Sequence, residues 1–151
     1  MVPMSVEEIA KAVDGRLIGD AGSESRATNT VSDSRQAGPG SVFVAIRGER
    51  VDGHDFVAKT AGQVAIVDHE VKSDGLPQIV VKDTVDALGE LARYNIVRRR
   101  ELDGDFDIIG LTGSVGKTTT KDLLSSLLAT VGPTVAPVGS FNNEIGLPLT
   151  A

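Results

Sequence analysis

The stretch Thr112-Gly113-Ser114-Val115-Gly116-Lys117-Thr118-Thr119 carries the most specific chemistry in this sequence. It sits between an apolar run, Asp107 to Leu111, and a helical pattern that begins at Lys117. Glycines let successive backbone N–H groups curl round a phosphate without Cβ clashes, and a helix N-terminus adds partial positive charge at the same point. Gly113, Ser114, Val115, Gly116, Lys117, Thr118 and Thr119 are therefore expected to cradle the phosphates of a nucleotide. Lys117, the candidate catalytic residue, would bridge the β- and γ-phosphates, and the Thr118 hydroxyl would reach Mg²⁺. The match to G-x-x-x-x-G-K-[ST] is incomplete, because Leu111 stands where the first glycine belongs and Gly110 comes one residue too early. The plainer alternative is an ordinary glycine-rich turn with a solvated lysine.

A phosphate loop needs a strand before it and a helix after it, and the rest of the chain reads as the same alternation. Ser5 and Glu8 form a capping box ahead of Val6, Ile9, Ala10 and Val13 at helical spacing, with Gly15 as a stop. Short strands follow at Arg16 to Ile18, Thr28 to Val31 and Ser41 to Ile46, with a firm turn at Gly38-Pro39-Gly40. A short helix is expected over Phe56 to Ala61, then buried strands at Val64 to Val67 and Gln78 to Val81. Asp83 and Asp86 cap a longer helix with Val85, Leu88, Leu91, Ala92 and Ile96 along one side, and Arg98-Arg99-Arg100 suits its C-terminal end. The polar, acidic run Glu101 to Asp105 marks a boundary. Beyond it come a strand from Asp107 to Leu111, the phosphate loop, a helix from Lys117, a strand at Thr134 to Ala136, and a helix start at Pro148. The fold class is α/β: a small N-terminal α/β domain (1–105), then the truncated start of a P-loop α/β domain (106–151).

Composition narrows the function. The chain has 151 residues and a formal net charge of −6, which excludes a basic nucleic-acid-binding domain. With 40% hydrophobic and 24% charged residues it is an ordinary globular protein. It contains no cysteine, so disulfides, thiol catalysis and cysteine-held metals are all excluded, and a cytoplasmic location is expected. The N-terminus has no basic segment followed by a long apolar run, and nowhere do about 18 apolar residues occur in succession, so no membrane insertion is expected.

Two groups of motifs then resemble one family. Gly113 to Thr120 followed by Gly139-Ser140-Phe141-Asn142-Asn143-Glu144-Ile145-Gly146-Leu147-Pro148 is similar to the Mur ligases. So are Asp33-Ser34-Arg35, Gly40 to Ala45, and Gly48 through Asp52-Gly53-His54-Asp55-Phe56 upstream. The resemblance implies a three-domain enzyme of peptidoglycan precursor synthesis, of which this chain carries the first domain and the opening of the second. The N-N-E-I-G-L-P run favours the member that adds D-alanyl-D-alanine to UDP-N-acetylmuramoyl-tripeptide, using ATP and Mg²⁺ through an acyl phosphate. In such a protein Ser34, Arg35, Arg47 and His54 would lie at the UDP end of the precursor, and Asn142, Asn143 and Glu144 beside the γ-phosphate or the substrate carboxylate.

The residues themselves leave alternatives open. An arginine offers a fixed fork of donors to a diphosphate, yet Asp33 and Ser34 also suit a turn bonded to local backbone. Arg47 and Arg50 flank Gly48 and either face the same pocket or are simply solvated. His54 follows a turn signal and is either a structural or a functional histidine; His69 has no motif around it. The whole chain admits two further readings, a nucleotide-sugar-binding module without catalysis and an unrelated P-loop kinase or ATPase. The family resemblance implies that the metal-holding carboxylate, the adenine pocket and the closing domain lie beyond Ala151. The chain by itself is thus expected to form no UDP-linked pentapeptide from D-alanyl-D-alanine, and chromatographic detection of that product would refute the reading.

Overall fold

Ser5 starts the first helix as its spacing to Glu8 predicts. Its hydroxyl accepts the Glu8 N–H at 3.1 Å, and helix α1 (Val6–Ala12) buries Val6, Ile9 and Ala10. The left-handed residue that closes the helix is Asp14 (φ 49°), not Gly15. Gly15 is needed for a different reason, since a Cβ there would stand 2.3 Å from Ile79 Cγ2 in the sheet. The computed structural model describes residues 1–22, 25–103, 106–137, 139 and 144–150.

Seven strands are present among these residues: β1 (Met4–Ser5), β2 (Arg16–Ile18), β3 (Arg26–Ala27), β4 (Asn29–Val31), β5 (Ser41–Val44), β6 (Val64–Val67) and β7 (Gln78–Val80). β1 and β3 form a small antiparallel pair. The other five make one sheet in the order β2-β7-β6-β5-β4, parallel from β4 to β7 with β2 antiparallel at the far edge. β5 and β6 lie at its centre, and every residue of both is buried. Their alternation divides the core. Val42, Val44, Val64 and Ile66 face α1 and the long helix α2 (Thr84–Asp103), meeting Ile9, Leu88 and Leu91. Phe43, Ala45, Ala65 and Val67 face the opposite side, where Val57 covers them. The expected helix at 56–61 is a 3₁₀ helix that begins earlier, Gly53–Lys59.

α2 starts as expected, with Asp83 Oδ1 accepting the N–H groups of Val85 (2.8 Å) and Asp86 (2.9 Å). The arginines at its end do more than face the helix dipole. Arg98 Nε approaches Glu8 of α1 at 3.1 Å, and Tyr94 donates its hydroxyl to the same carboxylate at 3.0 Å, so the two helices are tied together. Burial and that bond push the Tyr94 phenol up from its ordinary range. Arg99 and Arg100 lie over the ring of Phe106.

The second segment supplies α3 (Lys117–Leu128) and α4 (Gly146–Thr150). Ile145 and Leu149 pack on the core face of the first segment, with α4 against α2. The strands expected at 107–111 and 134–136 do not form. A strand exists through its ladder of hydrogen bonds, and no described residue pairs with either stretch. Ile108, Ile109, Leu111 and Val135 are accordingly exposed. No helix among the described residues is long and apolar enough to cross a membrane.

Two glycines test the packing in opposite directions. Gly15→Ala, which forces a methyl group into Ile79, should cost about 1–3 kcal/mol, as overpacking does. Gly89→Ala, in the interior of α2 where a Cβ meets nothing within 4 Å, should gain about 0.5–1 kcal/mol from helix propensity. Urea midpoints of the two variants measure both.

Candidate functional site

The loops beyond the carboxyl ends of β4 and β5 are built on one device, used twice. Asp33 Oδ1 accepts the Arg35 backbone N–H at 3.0 Å and its Nε–H at 2.9 Å, while Oδ2 receives a terminal guanidinium nitrogen at 2.6 Å. Asp52 Oδ1 accepts the His54 backbone N–H at 3.0 Å and meets the His54 ring Nδ1 at 2.6 Å, while Oδ2 accepts Arg47 Nε–H at 3.0 Å. In each case an aspartate binds both the backbone and the side chain two residues on, and a 3₁₀ segment starts there, Ser34–Gln36 in one loop and Gly53–Lys59 in the other. The carboxylates respond accordingly. Asp33 is lowered to about 2, first by the Arg35 side chain and then by its N–H. Asp52 is held well below the usual range, first by the His54 N–H, then by its ring, with Arg47 adding to both.

Between these loops lies a cavity of about 560 Å³. Ser32, Asp33, Ser34 and Arg35 form one side; Ile46, Gly48, Val51, Gly53 and Phe56 form the other. Phe43 contributes from β5, and Ile145 contributes from the second segment. In parallel sheets ligands bind outside the carboxyl ends of the strands, where this cavity lies. Its apolar walls and few convergent polar groups suit a small organic ligand with an anionic part.

Of the four residues expected at the UDP end, Ser34 and Arg35 line the cavity, and Arg35 is 87% exposed at its side chain. Arg47 and His54 are not among the residues that line it. His54 is only 4% exposed. Its Nδ1 meets the Asp52 carboxylate, and its Nε2 accepts the Asp68 backbone N–H at 3.1 Å and lies 3.2 Å from the Asp68 carboxylate, so both ring nitrogens are spent on protein partners. Arg47 reaches Asp52 and, at 3.4 Å, Asp68. His69 stacks on His54 with ring centroids 4.6 Å apart and bonds the Asp68 carboxylate, which lowers that group. The donor atoms of His54, Asp68 and His69 lie within 4.8 Å of one another. They form a hydrogen-bonded network and not a metal cage, because the His54 lone pair is taken by the Asp68 N–H and the second Asp68 oxygen faces Arg47.

The glycine-rich turn leads into a helix as expected, though without the strand expected before it. Gly116 precedes α3 in the left-handed conformation (φ 78°), and no side chain caps the helix, so the N–H groups of its first turn are unspent. Gly113 has φ 155°. The Lys117 ammonium donates to the Gly113 carbonyl at 2.5 Å, across the mouth of the loop. Ser114, Val115, Thr118 and Thr119 are exposed. Asn142 and Asn143 lie outside the described residues, and Glu144 is exposed at the turn before α4. Sequence reasoning missed the apolar wall. Phe43, Ile46, Val51 and Phe56 stand inside motifs noted for their polar members, and Ile145 comes from a loop noted for Asn142 to Glu144.

Known proteins carry the same two parts in the same order. The family model described as Mur ligase family, catalytic domain, matches residues 27–95, and that of the Mur ligase middle domain matches 111–151. The chain belongs to the Mur ligase family. Among curated relatives, the UDP-N-acetylmuramoyl-tripeptide--D-alanyl-D-alanine ligases of Mycobacterium bovis and Escherichia coli K12 are 38% and 36% identical over 99% of this chain. The chain spans about a third of their length, 34% and 32%. A crystal structure of MurF from Acinetobacter baumannii superposes with a TM-score of 0.82 at 38% identity, covering 98% of this chain and 32% of that one. That of MurF ligase from Thermotoga maritima in complex with ADP gives 0.68 at 35% identity, over 82% of this chain and 28% of the other. The sheet and its loops are thus those of a Mur ligase, and the α/β fold expected from the sequence agrees with these structures.

The Asp33–Arg35 pair gives a direct test of the site's electrostatics. The folded state holds Asp33 below its ordinary value of 3.8. The pair's contribution to stability is therefore complete above about pH 4 and is lost as pH falls toward 2. Carbon-13 NMR should place the Asp33 carboxyl midpoint near 2, Arg35→Ala should return it toward 3.8, and added salt should shrink the difference because the pair is exposed.

Proposed function

We propose that this chain is the precursor-binding and nucleotide-binding opening of a ligase that, in its longer form, joins D-alanyl-D-alanine to UDP-N-acetylmuramoyl-tripeptide through an acyl phosphate, with ATP converted to ADP and phosphate. The observation that carries the reading is the pairing, within one chain, of an Arg35-edged cavity and an uncapped helix start after Gly-Lys-Thr-Thr, in a sequence 36–38% identical to ligases of that name. Residues 1–105 form the precursor-binding domain in this reading, and 106–151 begin the ATP-binding domain. The exposed apolar side chains of Ile108, Ile109, Leu123, Leu127 and Val135 support it, as they are spaced to receive further strands and helices of an α/β layer.

Arg35 is oriented for its task by Asp33, which takes Nε–H and one hydrogen of a terminal nitrogen and leaves three N–H donors of the fork to a diphosphate. The apolar side of the cavity, from Phe43, Val51 and Phe56, would receive the flat face of a base. At the second site Gly113 and Gly116 adopt backbone angles open to glycine, and the free N–H groups of α3 face any anion placed there. The residues present fit a nucleotide triphosphate. Lys117 would exchange the Gly113 carbonyl for the β- and γ-phosphate oxygens, and the exposed Thr118 hydroxyl would hold Mg²⁺. When bound, Mg²⁺ supplies neutralisation of charge on the transferred phosphoryl group. Asn142, Asn143 and Glu144 are proposed to orient the acceptor carboxylate.

Calorimetric titration tests the two sites separately. UDP-N-acetylmuramoyl-tripeptide should bind, and Arg35→Ala should weaken it by about tenfold or more, the usual loss for a hydrogen bond to a charged group. Mg-ATP should bind independently and be lost in Lys117→Ala. Binding of Mg-ATP with none of the UDP compound would instead favour an unrelated P-loop protein, and binding of the UDP compound alone a non-catalytic module.

A further inference from the structure

The cavity wall opposite Arg35 is a hairpin, residues 46 to 53, closed by Gly48 N–H to the Val51 carbonyl (2.9 Å) and Gly53 N–H to the Ile46 carbonyl (2.9 Å). Its two legs approach so closely that a Cβ on Gly53 would stand 2.7 Å from the Ile46 nitrogen. Ile46 seats its base against the core. Beyond that point polar contacts hold it, among them Arg47 to Asp68 at 3.4 Å. Across the legs, Asp52 takes Arg47 Nε on one oxygen and His54 on the other. Toward the sheet, His54 is buried and accepts the N–H of Asp68, the residue that follows β6. Arg47, Asp52, His54 and Asp68 thus make a continuous bridge from the hairpin to the next strand end, and none of Arg47, His54 and Asp68 lines the cavity.

We propose that His54 is a positioning residue: it pins the 46–53 hairpin to the end of β6, and so fixes the distance between Val51 and Gly48 on one wall of the cavity and Arg35 on the other. The inference rests on the reading of the cavity as the site for the UDP end of the precursor. A histidine is suited to this because it alone among neutral side chains offers a donor and an acceptor on opposite sides of a rigid ring, here to Asp52 and to Asp68. The ordering is done before the ligand arrives, and a preformed wall avoids the entropy of arranging a loop on binding.

The test combines amide hydrogen exchange with calorimetry on the same chain. In His54→Ala, the Gly48 and Gly53 amides should exchange at least about tenfold faster, while Ala45 and Ala65, bonded to Ile66 and Pro77 in and beside the central strands, keep their protection. The dissociation constant of UDP-N-acetylmuramoyl-tripeptide should rise by about tenfold in the folded variant. His54→Asn, which retains a donor near Asp52 but loses the bridge to Asp68, should restore part of the hairpin protection and part of the affinity, and it serves where the alanine variant fails to fold. A merely structural histidine would lower the unfolding midpoint and leave both hairpin exchange and affinity in the folded protein unchanged, which would overturn the proposal. If the unsubstituted chain fails to bind the UDP compound while His54→Ala still loosens the hairpin selectively, the ligand assignment fails and the pinning stands.

Discussion

Everything in this molecule hangs on β5 and β6 being buried on both faces. Two adjacent parallel strands of four residues, with no polar side chain but Ser41, can be satisfied only by cover on each side. α1 and α2 provide it on one face, and the Gly53–Lys59 helix provides it on the other through Val57. Parallel pairing also forces every connection to return over the sheet, so that the loops after β4 and β5 gather at one edge. The cavity is a consequence of that gathering.

Those loops are shaped by short polar devices. Asp33-Ser34-Arg35 and Asp52-Gly53-His54 solve the same local problem, turning the chain out of an extended segment by letting one carboxylate take a backbone N–H and the side chain two residues on. They diverge through burial. Arg35 remains largely exposed and keeps donors for a ligand, whereas His54 lies beneath the hairpin and spends both ring nitrogens on protein partners. One motif geometry therefore leaves an exposed guanidinium at the cavity in one loop and a buried support in the next.

The second segment shows the reverse dependence of local structure on its neighbours. The phosphate loop and α3 need only their own backbone: a left-handed Gly116 and helical hydrogen bonds within the segment suffice. The runs on either side, 107–111 and 134–136, have the composition of strands, yet a strand cannot complete its hydrogen bonds alone; they form none, and Ile108, Ile109, Leu111 and Val135 stay exposed. Ile145 and Leu149 are the part of this segment that does find cover, against the core of the first. Ile145 also lines the cavity, so a residue of the second segment completes a wall built by the first.

The sequence by itself determined the starts of α1 and α2 and the central strands, because Ser5, Asp83 and the apolar runs at 41–46, 64–67 and 78–81 act over a few residues. It also marked the glycine-rich turn ahead of α3, whose form resides in local backbone geometry, and the loops holding Ser34 and Arg35. Only the tertiary structure decided which motif residues face the cavity. Arg47 and His54 look as apt for an anion as Arg35 does when written in a line, and it is Asp68, 14 positions beyond His54, that turns the histidine inward. The two-residue strands β1 and β3, the apolar wall with Ile145, and the failure of the outer strands to form were likewise beyond local reading. Each depends on which distant segment lies alongside, and hydrogen bonds and burial between remote segments leave no periodic trace in either one.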